Sequence, residues 1–353
     1  MCKPKFLVSR RIRATAGLSM VALLTGCAAP LSSMIATAPN RFNPLAGPDC
    51  TVPAIESVIA ADQHFFVSVG PPEASLSVSI IEPENTHQPP KGTVLVVHGI
   101  YARSVWMLGP AKALSKAGYR AVLVDLRGHG RSTGKYLSFG TQEAKDLSGV
   151  IDDLERRHLV SGPIGVYGIS YGATSSIHLA GIDPRVQAVV AVAPFSAMRE
   201  EVPKFVKAWV PGIGWMIPET TYQQAINQAG QQAGFDPDEA DATRAIRRTE
   251  AQVLLMHGTN DWIVPHRHSQ RLHNAARDHS SLVLIPGHGH TVIWIDPTGE
   301  VAIRTIDWFD RWLADPADRT WDIGAEIFRR QPPCCFNFSR DDIKETTSVP
   351  TGL

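Results

Sequence analysis

The chain has 353 residues, enough for one large α/β domain with an inserted lid or for two small domains. Its 34 Lys and Arg residues balance 34 Asp and Glu residues, and aromatic residues are a modest 7%. That is the composition of an ordinary globular protein, and it gives no sign of an extended nucleic-acid-binding surface.

At the N-terminus, Lys3, Lys5, Arg10, Arg11 and Arg13 precede an apolar run over 14–24, the charged and apolar regions of a secretory signal. The run is too short for a plain membrane-spanning helix. It ends in Leu24-Thr25-Gly26-Cys27, which resembles the lipobox of bacterial lipoproteins. The resemblance implies that Cys27 becomes the lipidated first residue of the mature chain, with an acyl anchor of the palmitate kind. Ala28, where an aspartate would divert the chain, implies an outer-membrane destination facing the periplasm. The pair Arg10-Arg11 also reads as a twin-arginine signal, but the residues after it match that pattern poorly. The expected division is 1–26 signal peptide and 27–51 tether, the latter Pro-, Ala- and Ser-rich with little structure of its own. Cys2 belongs to the signal, which leaves Cys50, Cys334 and Cys335 for an oxidising compartment. Cys50 is expected to pair with Cys334 or Cys335; a vicinal Cys334-Cys335 bond is the competing possibility.

Ordered structure is expected from about Val52. Residues 76–81 alternate apolar and polar side chains as a half-exposed strand does, and the stretch to Pro90 is a turn. Residues 93–97 form a continuous apolar strand ending in His98-Gly99-Ile100. A helix over 108–116 closes at Gly118, a buried strand follows over 120–124, and a helix runs over 142–158. Residues 163–167 read as a buried strand and 173–180 as a helix closed by Gly181. Further strands fall at 186–192, 253–256 and 282–285, and 300–313 is an amphipathic helix. Strands that are apolar runs, alternating with helices, call for a largely parallel sheet covered on both faces. The segment 197–248 is longer than a crossover needs and reads as a helical insertion between core parts 52–196 and 249–315, with 316–353 a C-terminal tail. Its Phe205, Trp209, Ile213, Trp215, Met216 and Ile217 either line an apolar pocket as a lid or pack the insertion onto the core.

Between the fourth predicted strand and its helix lies Gly168-Ile169-Ser170-Tyr171-Gly172, a Gly-x-Ser-x-Gly. In a strand-turn-helix context this places the serine on a strained turn at the sheet edge, below a helix N-terminus. Serine is a weak nucleophile unless a base takes its proton and an acid orients the base. Asp261, in His257-Gly258-Thr259-Asn260-Asp261, and His290, in Gly287-His288-Gly289-His290, each follow a strand, giving the chain order Ser170, Asp261, His290.

The core from Leu76 to Leu313 resembles the α/β-hydrolase superfamily, in its serine esterase, monoacylglycerol-lipase-like and serine-aminopeptidase-like branch. The resemblance rests on His98-Gly99-Ile100, Asp125-Leu126-Arg127-Gly128-His129-Gly130-Arg131-Ser132, the serine turn, and His257 to Asp261 with Val264-Pro265. It implies Ser170 as nucleophile, His290 as base and then acid, Asp261 as its orienting group, and an oxyanion hole from the backbone N–H groups of Ile100 and Tyr171. His288 competes with His290. His98, His129 and His257 read as structural, Asp125 and Arg127 as turn-forming, and His266, His268 and His273 as surface residues with no metal site. The expectation is an esterase or thioesterase needing no cofactor and no metal, acting on a small-molecule acyl substrate at a membrane. A serine peptidase of the same fold, holding a free amine on Glu200, Glu201 or Glu219, is the alternative, and a non-catalytic binding scaffold a second.

Overall fold

The computed structural model describes residues 28–41, 61–85 and 87–314. The signal peptide, Cys27, Cys50, Cys334, Cys335 and the tail beyond 314 lie outside the described residues, and with them the expected lipidation and disulfide.

In chain order the elements are helix α1 (Ala28–Ala36), strands β1 (Gln63–Val69), β2 (Ala74–Ile81) and β3 (Thr93–Val97), helix α2 (Leu108–Lys116), β4 (Arg120–Val124), α3 (Thr141–Arg156), β5 (Ile164–Ile169), α4 (Tyr171–Ala180) and β6 (Val186–Val192). Four helices follow: α5 (Met198–Trp209), α6 (Ile213–Met216), α7 (Glu219–Ala233) and α8 (Ala242–Ile246). The chain then resumes with β7 (Gln252–Gly258), α9 (Arg267–Ala275), β8 (Ser280–Ile285), α10 (His290–Ile295) and α11 (Glu300–Trp312).

The strands form one sheet in the order β1-β2-β4-β3-β5-β6-β7-β8. β2 is antiparallel to both β1 and β4, and every other pairing is parallel. The central parallel strands are mostly apolar because both faces are covered. Val94 and Val96 pack with Leu114, Tyr119 and Phe309 on one side, while Leu95 and Val97 pack with Leu147, Ile151 and Ile177 on the other. Parallel strands bring their C-terminal ends to one edge, so the loops after β3, β5, β7 and β8 meet there. Those loops carry Ile100, Ser170, Asp261 and His290.

Several elements differ from expectation; the strand over 76–81, expected half-exposed, is buried because both faces of the sheet are covered there. β1 is an edge strand in register with β2, Gln63 opposite Ile80 through Val69 opposite Ala74. More consequentially, the first part of the expected tether is structured. Leu31, Ile35, Ala36 and Ala38 are buried, and α1 packs against α7. The next residues join the loop after β4: Leu137 N–H donates to the Ala36 carbonyl at 2.8 Å, and the Asn40 amide donates to the carbonyls of Gly130 and Ser132 at 3.1 and 3.0 Å. Its small, weakly periodic residues suit a close helix crossing, and the groove they fill exists only in the folded chain.

Beneath the same loop, Arg127 forms a bidentate pair with Asp146 at 2.7 and 2.8 Å, both residues buried. Arg127 is therefore the interior strut of the turn. Asp125 caps the turn as expected, accepting from Ser104 N–H at 2.6 Å and Arg131 N–H at 2.9 Å.

Candidate active site

Ser170 ends the β5 turn and precedes the first residue of α4, with φ at +52°, a left-handed conformation that non-glycine residues avoid. The neighbouring glycines permit the turn through space as well as flexibility. A Cβ at Gly168 would lie 2.5 Å from the Gly172 carbonyl oxygen, and one at Gly172 would lie 2.4 Å from the His98 carbonyl oxygen. The Ser170 N–H donates to the Val192 carbonyl at 2.7 Å, pinning the turn to β6.

His290 begins α10, and its ring lies between the other two residues. Nε2 is 3.0 Å from Ser170 Oγ, and Nδ1 is 2.6 Å from Asp261 Oδ2. All three are buried. An ionised carboxylate can only accept, so Nδ1 carries the proton and Nε2 is left as the acceptor for the serine hydroxyl. His288, the competing histidine, is turned elsewhere, its Nδ1 3.0 Å from the Pro286 carbonyl.

Asp261 Oδ1 accepts from the N–H groups of Ile263 and Val264 at 3.1 and 2.8 Å. Burial opposes ionisation of this carboxyl, but His257 and His290 outweigh it and lower its pKa to about 2. His257 sits with Nε2 3.3 Å from Asp261 Oδ2 and 2.8 Å from the Val264 carbonyl, and Nδ1 2.7 Å from Ser269 Oγ. It is thus a second support of the acid, beyond the structural part expected of it.

The segment carrying Ile100 is fixed by His98. Leu126 N–H donates to His98 Nε2 at 3.0 Å, so Nδ1–H donates to the Gly99 carbonyl at 2.7 Å. Burial lowers the His98 pKa to about 4 and, helped by His98, that of His129 to about 3, so both rings are neutral supports. Tyr171 is fixed from its phenol end: its hydroxyl donates to Glu143 Oε1 at 2.9 Å and accepts from Phe139 N–H at 3.0 Å. The buried Glu143 carboxylate also accepts the N–H groups of Ser138 and Gly140 at 3.0 and 2.9 Å. Gly99 lies against the serine, since a Cβ there would be 3.5 Å from both Ser170 Cβ and the Trp294 ring.

Trp294 was not among the residues expected at the site. It stands one turn after His290 on α10, its ring edge-on to the imidazole with centroids 5.1 Å apart. Its buried indole N–H has no hydrogen-bond partner among the described residues. The sole sign in the sequence is the i,i+4 spacing that puts it on the face of His290.

The acidic residues of the insertion are already engaged or buried. Glu200 pairs with Arg271 at 2.7 Å, and Glu219 lies 3.8 Å from Lys207. Glu201 is only 5% exposed, 3.3 Å from His268 Nε2, and burial pushes its carboxyl well above the usual carboxylate range. His268 is therefore buried rather than on the surface, its Nδ1 2.9 Å from Ser196 Oγ, whereas His273 pairs with Ser280 Oγ at 2.9 Å. Among the described residues no group of three or more His, Cys, Asp or Glu is placed to hold a metal ion.

Two family models match the chain: one described as Serine aminopeptidase, S33 over residues 88–234, and one described as TAP-like protein over 224–306. Protein YqkD of Bacillus subtilis is 24% identical over 57% of this chain and 65% of its own length. Lysophosphatidylserine lipase ABHD12 of Danio rerio is 26% identical over 55% of this chain and 47% of its own. The chain thus spans less than two thirds of the length of these curated relatives. Among solved structures, the Pyrococcus furiosus esterase Pf2001 superposes with a TM-score of 0.57 at 20% identity, over 73% of this chain and 94% of its own. The mostly parallel eight-stranded sheet with helices around it is the α/β-hydrolase fold.

Proposed function

We propose that the chain is a serine hydrolase that cleaves a carboxylic ester or thioester through an acyl-enzyme on Ser170. The observation that carries the reading is the His290 ring, held at 3.0 Å from Ser170 Oγ and 2.6 Å from Asp261 Oδ2. As Oγ attacks the acyl carbon, its proton passes to Nε2, and Asp261 stabilises the imidazolium from the Nδ1 side. The carbonyl oxygen, now an anion, takes hydrogen bonds from the N–H groups of Ile100 and Tyr171, donors held from behind by His98 and Glu143. Nε2–H then protonates the departing alcohol or thiol, and the same cycle run with water releases the acid. No step calls for a cofactor.

An ester is preferred to a peptide because of the insertion's carboxylates. A site that binds a free amine needs an ionised, unpaired carboxylate, but Glu200 is paired with Arg271, Glu219 lies beside Lys207, and Glu201 is buried with its ionisation suppressed. In the same proposal the chain is a lipoprotein of the bacterial envelope, anchored through Cys27.

The test is labelling of the full chain with a fluorophosphonate probe, followed by peptide mapping, beside a Ser170→Ala control. Labelling confined to the peptide containing Ser170 is expected. A folded protein that takes up no probe, or takes it up equally without Ser170, refutes the reading.

A further inference from the structure

We infer that the turn between α5 and α7, together with the rim it forms with Tyr101, docks on a phospholipid bilayer and opens the catalytic edge toward it. Trp209, Trp215 and Met216 are 64%, 72% and 73% exposed, in a molecule whose other large apolar side chains are mostly buried. They are not scattered. Phe205 lies 5.8 Å from the Trp209 ring and is stacked at 6.4 Å on Tyr101, the residue after the proposed oxyanion donor Ile100. An aromatic path therefore runs from Trp209 through Phe205 to Tyr101, beside Ile100.

The side-chain chemistry selects the occupant. Tryptophan and tyrosine with a lysine beside them suit the boundary between headgroups and acyl chains, where an aromatic ring is half-wetted and the ammonium reaches outward. Lys207 has its Nζ 5.7 Å from the centre of the Trp215 ring. Pro218, two residues after Met216, caps the start of α7, so the tip is a short protruding turn supported by a helix.

The start of the described chain gives the direction. Residue 28 opens α1, and α1 packs on α7, the 15-residue helix that begins three residues after Met216. A helix of that length spans about 22 Å, so the packed α1 lies within about one helix length of the apolar tip. The preceding 27 residues hold the basic and apolar runs and Cys27. In the proposed lipoprotein, attachment at Cys27, the residue next to the packed α1, holds the insertion near the lipid.

The inference rests on the hydrolase reading only for its consequence, capture of an acyl ester from the bilayer, and its test does not use turnover. Full-length Ser170→Ala protein is mixed with vesicles of phosphatidylethanolamine and phosphatidylglycerol whose acyl chains are brominated at mid-chain, and tryptophan fluorescence is followed. Marked quenching is expected. Pro211→Asp combined with Met216→Asp, which retains every tryptophan, should lose most of it while its thermal melting stays unchanged, because a carboxylate at the acyl boundary opposes insertion. Protein that floats with the vesicles but is unquenched, or equal quenching in the charged variant, overturns docking by this face. So does sedimentation showing a dimer that the two aspartates dissolve, since the face would then belong to a second copy. A chain inert toward every ester that is still quenched in this manner would remove the hydrolase reading and leave the docking intact.

Discussion

The sheet edge that carries Ser170 and the helical insertion lie side by side and are built on opposite rules. At the edge three side chains are each held from at least two directions: His290 by Ser170 and Asp261, Asp261 by two histidines and two backbone N–H groups, Tyr171 by Glu143 and Phe139. In the insertion large apolar side chains face solvent, and the buried Glu201 carboxylate has no hydrogen bond among the described residues. In the proposed hydrolase such fixed supports suit donors aimed in advance at a developing charge, which lower a barrier because they need not reorganise.

The comparison breaks first if the edge does not do chemistry. Ser170→Ala and His290→Ala should each lower kcat on a soluble nitrophenyl ester by about 10⁴- to 10⁶-fold, the two together costing little more than either alone. His288→Ala should keep most of the activity, because its ring engages Pro286 rather than Ser170. Steady-state kinetics of the four proteins checks this, and near-normal turnover in His290→Ala would sink it.

The boundary between the two regions is tested by α1, which sits against α7. Leu31 is 1% exposed, so Leu31→Ala should destabilise the protein by about 2–4 kcal/mol in urea unfolding. Were this stretch a mere tether, the change would be within about 0.5 kcal/mol.

Electrostatics sharpens the edge side. The folded pKa of Asp261, about 2, is below its ordinary value of 3.8, so the carboxylate adds stability that is fully present above about pH 4 and is lost as pH falls through 2. The depression corresponds to about 2 kcal/mol. Urea unfolding between pH 5 and pH 2 should show this extra loss in the parent and not in Asp261→Asn. The same ionisation means that activity lost on mild acidification does not arise at Asp261.

What the sequence disclosed divides along the same line. The edge was legible because its residues carry local signatures: apolar runs stop at Gly168, His98 and His257, and Ser170, Asp261 and His290 each follow a strand whose end is set by sheet geometry. The supports were partly hidden. Glu143 sits in the first turn of α3, where an acidic residue is ordinary, and its partnership with Tyr171 spans 28 positions of chain. Trp294 had only its helical spacing from His290 to announce it. α1 was illegible because Ala28-Ala29-Pro30-Leu31-Ser32-Ser33 has the composition of a linker, and what makes it helical is a groove formed by α7 and the loop after β4. Local pattern reports which face of a segment is apolar, not which distant segment will cover it.

The smallest expected effect is the most discriminating for the insertion. Trp215 is a large aromatic residue, and in a packed core its truncation would cost about 3–5 kcal/mol. Here its ring is mostly in water and its one ring contact is with the Lys207 ammonium. Trp215→Ser should therefore change stability in urea by less than about 0.5 kcal/mol. It should also leave the kcat for a soluble short-chain ester unaltered, because the Ser170, His290 and Asp261 geometry draws nothing from this ring. A loss of several kcal/mol would mean that the tip folds down onto the core in solution, and that the contrast between a satisfied edge and an uncovered insertion is smaller than the structure makes it. An unchanged midpoint shows a tryptophan the fold does not need for its own stability.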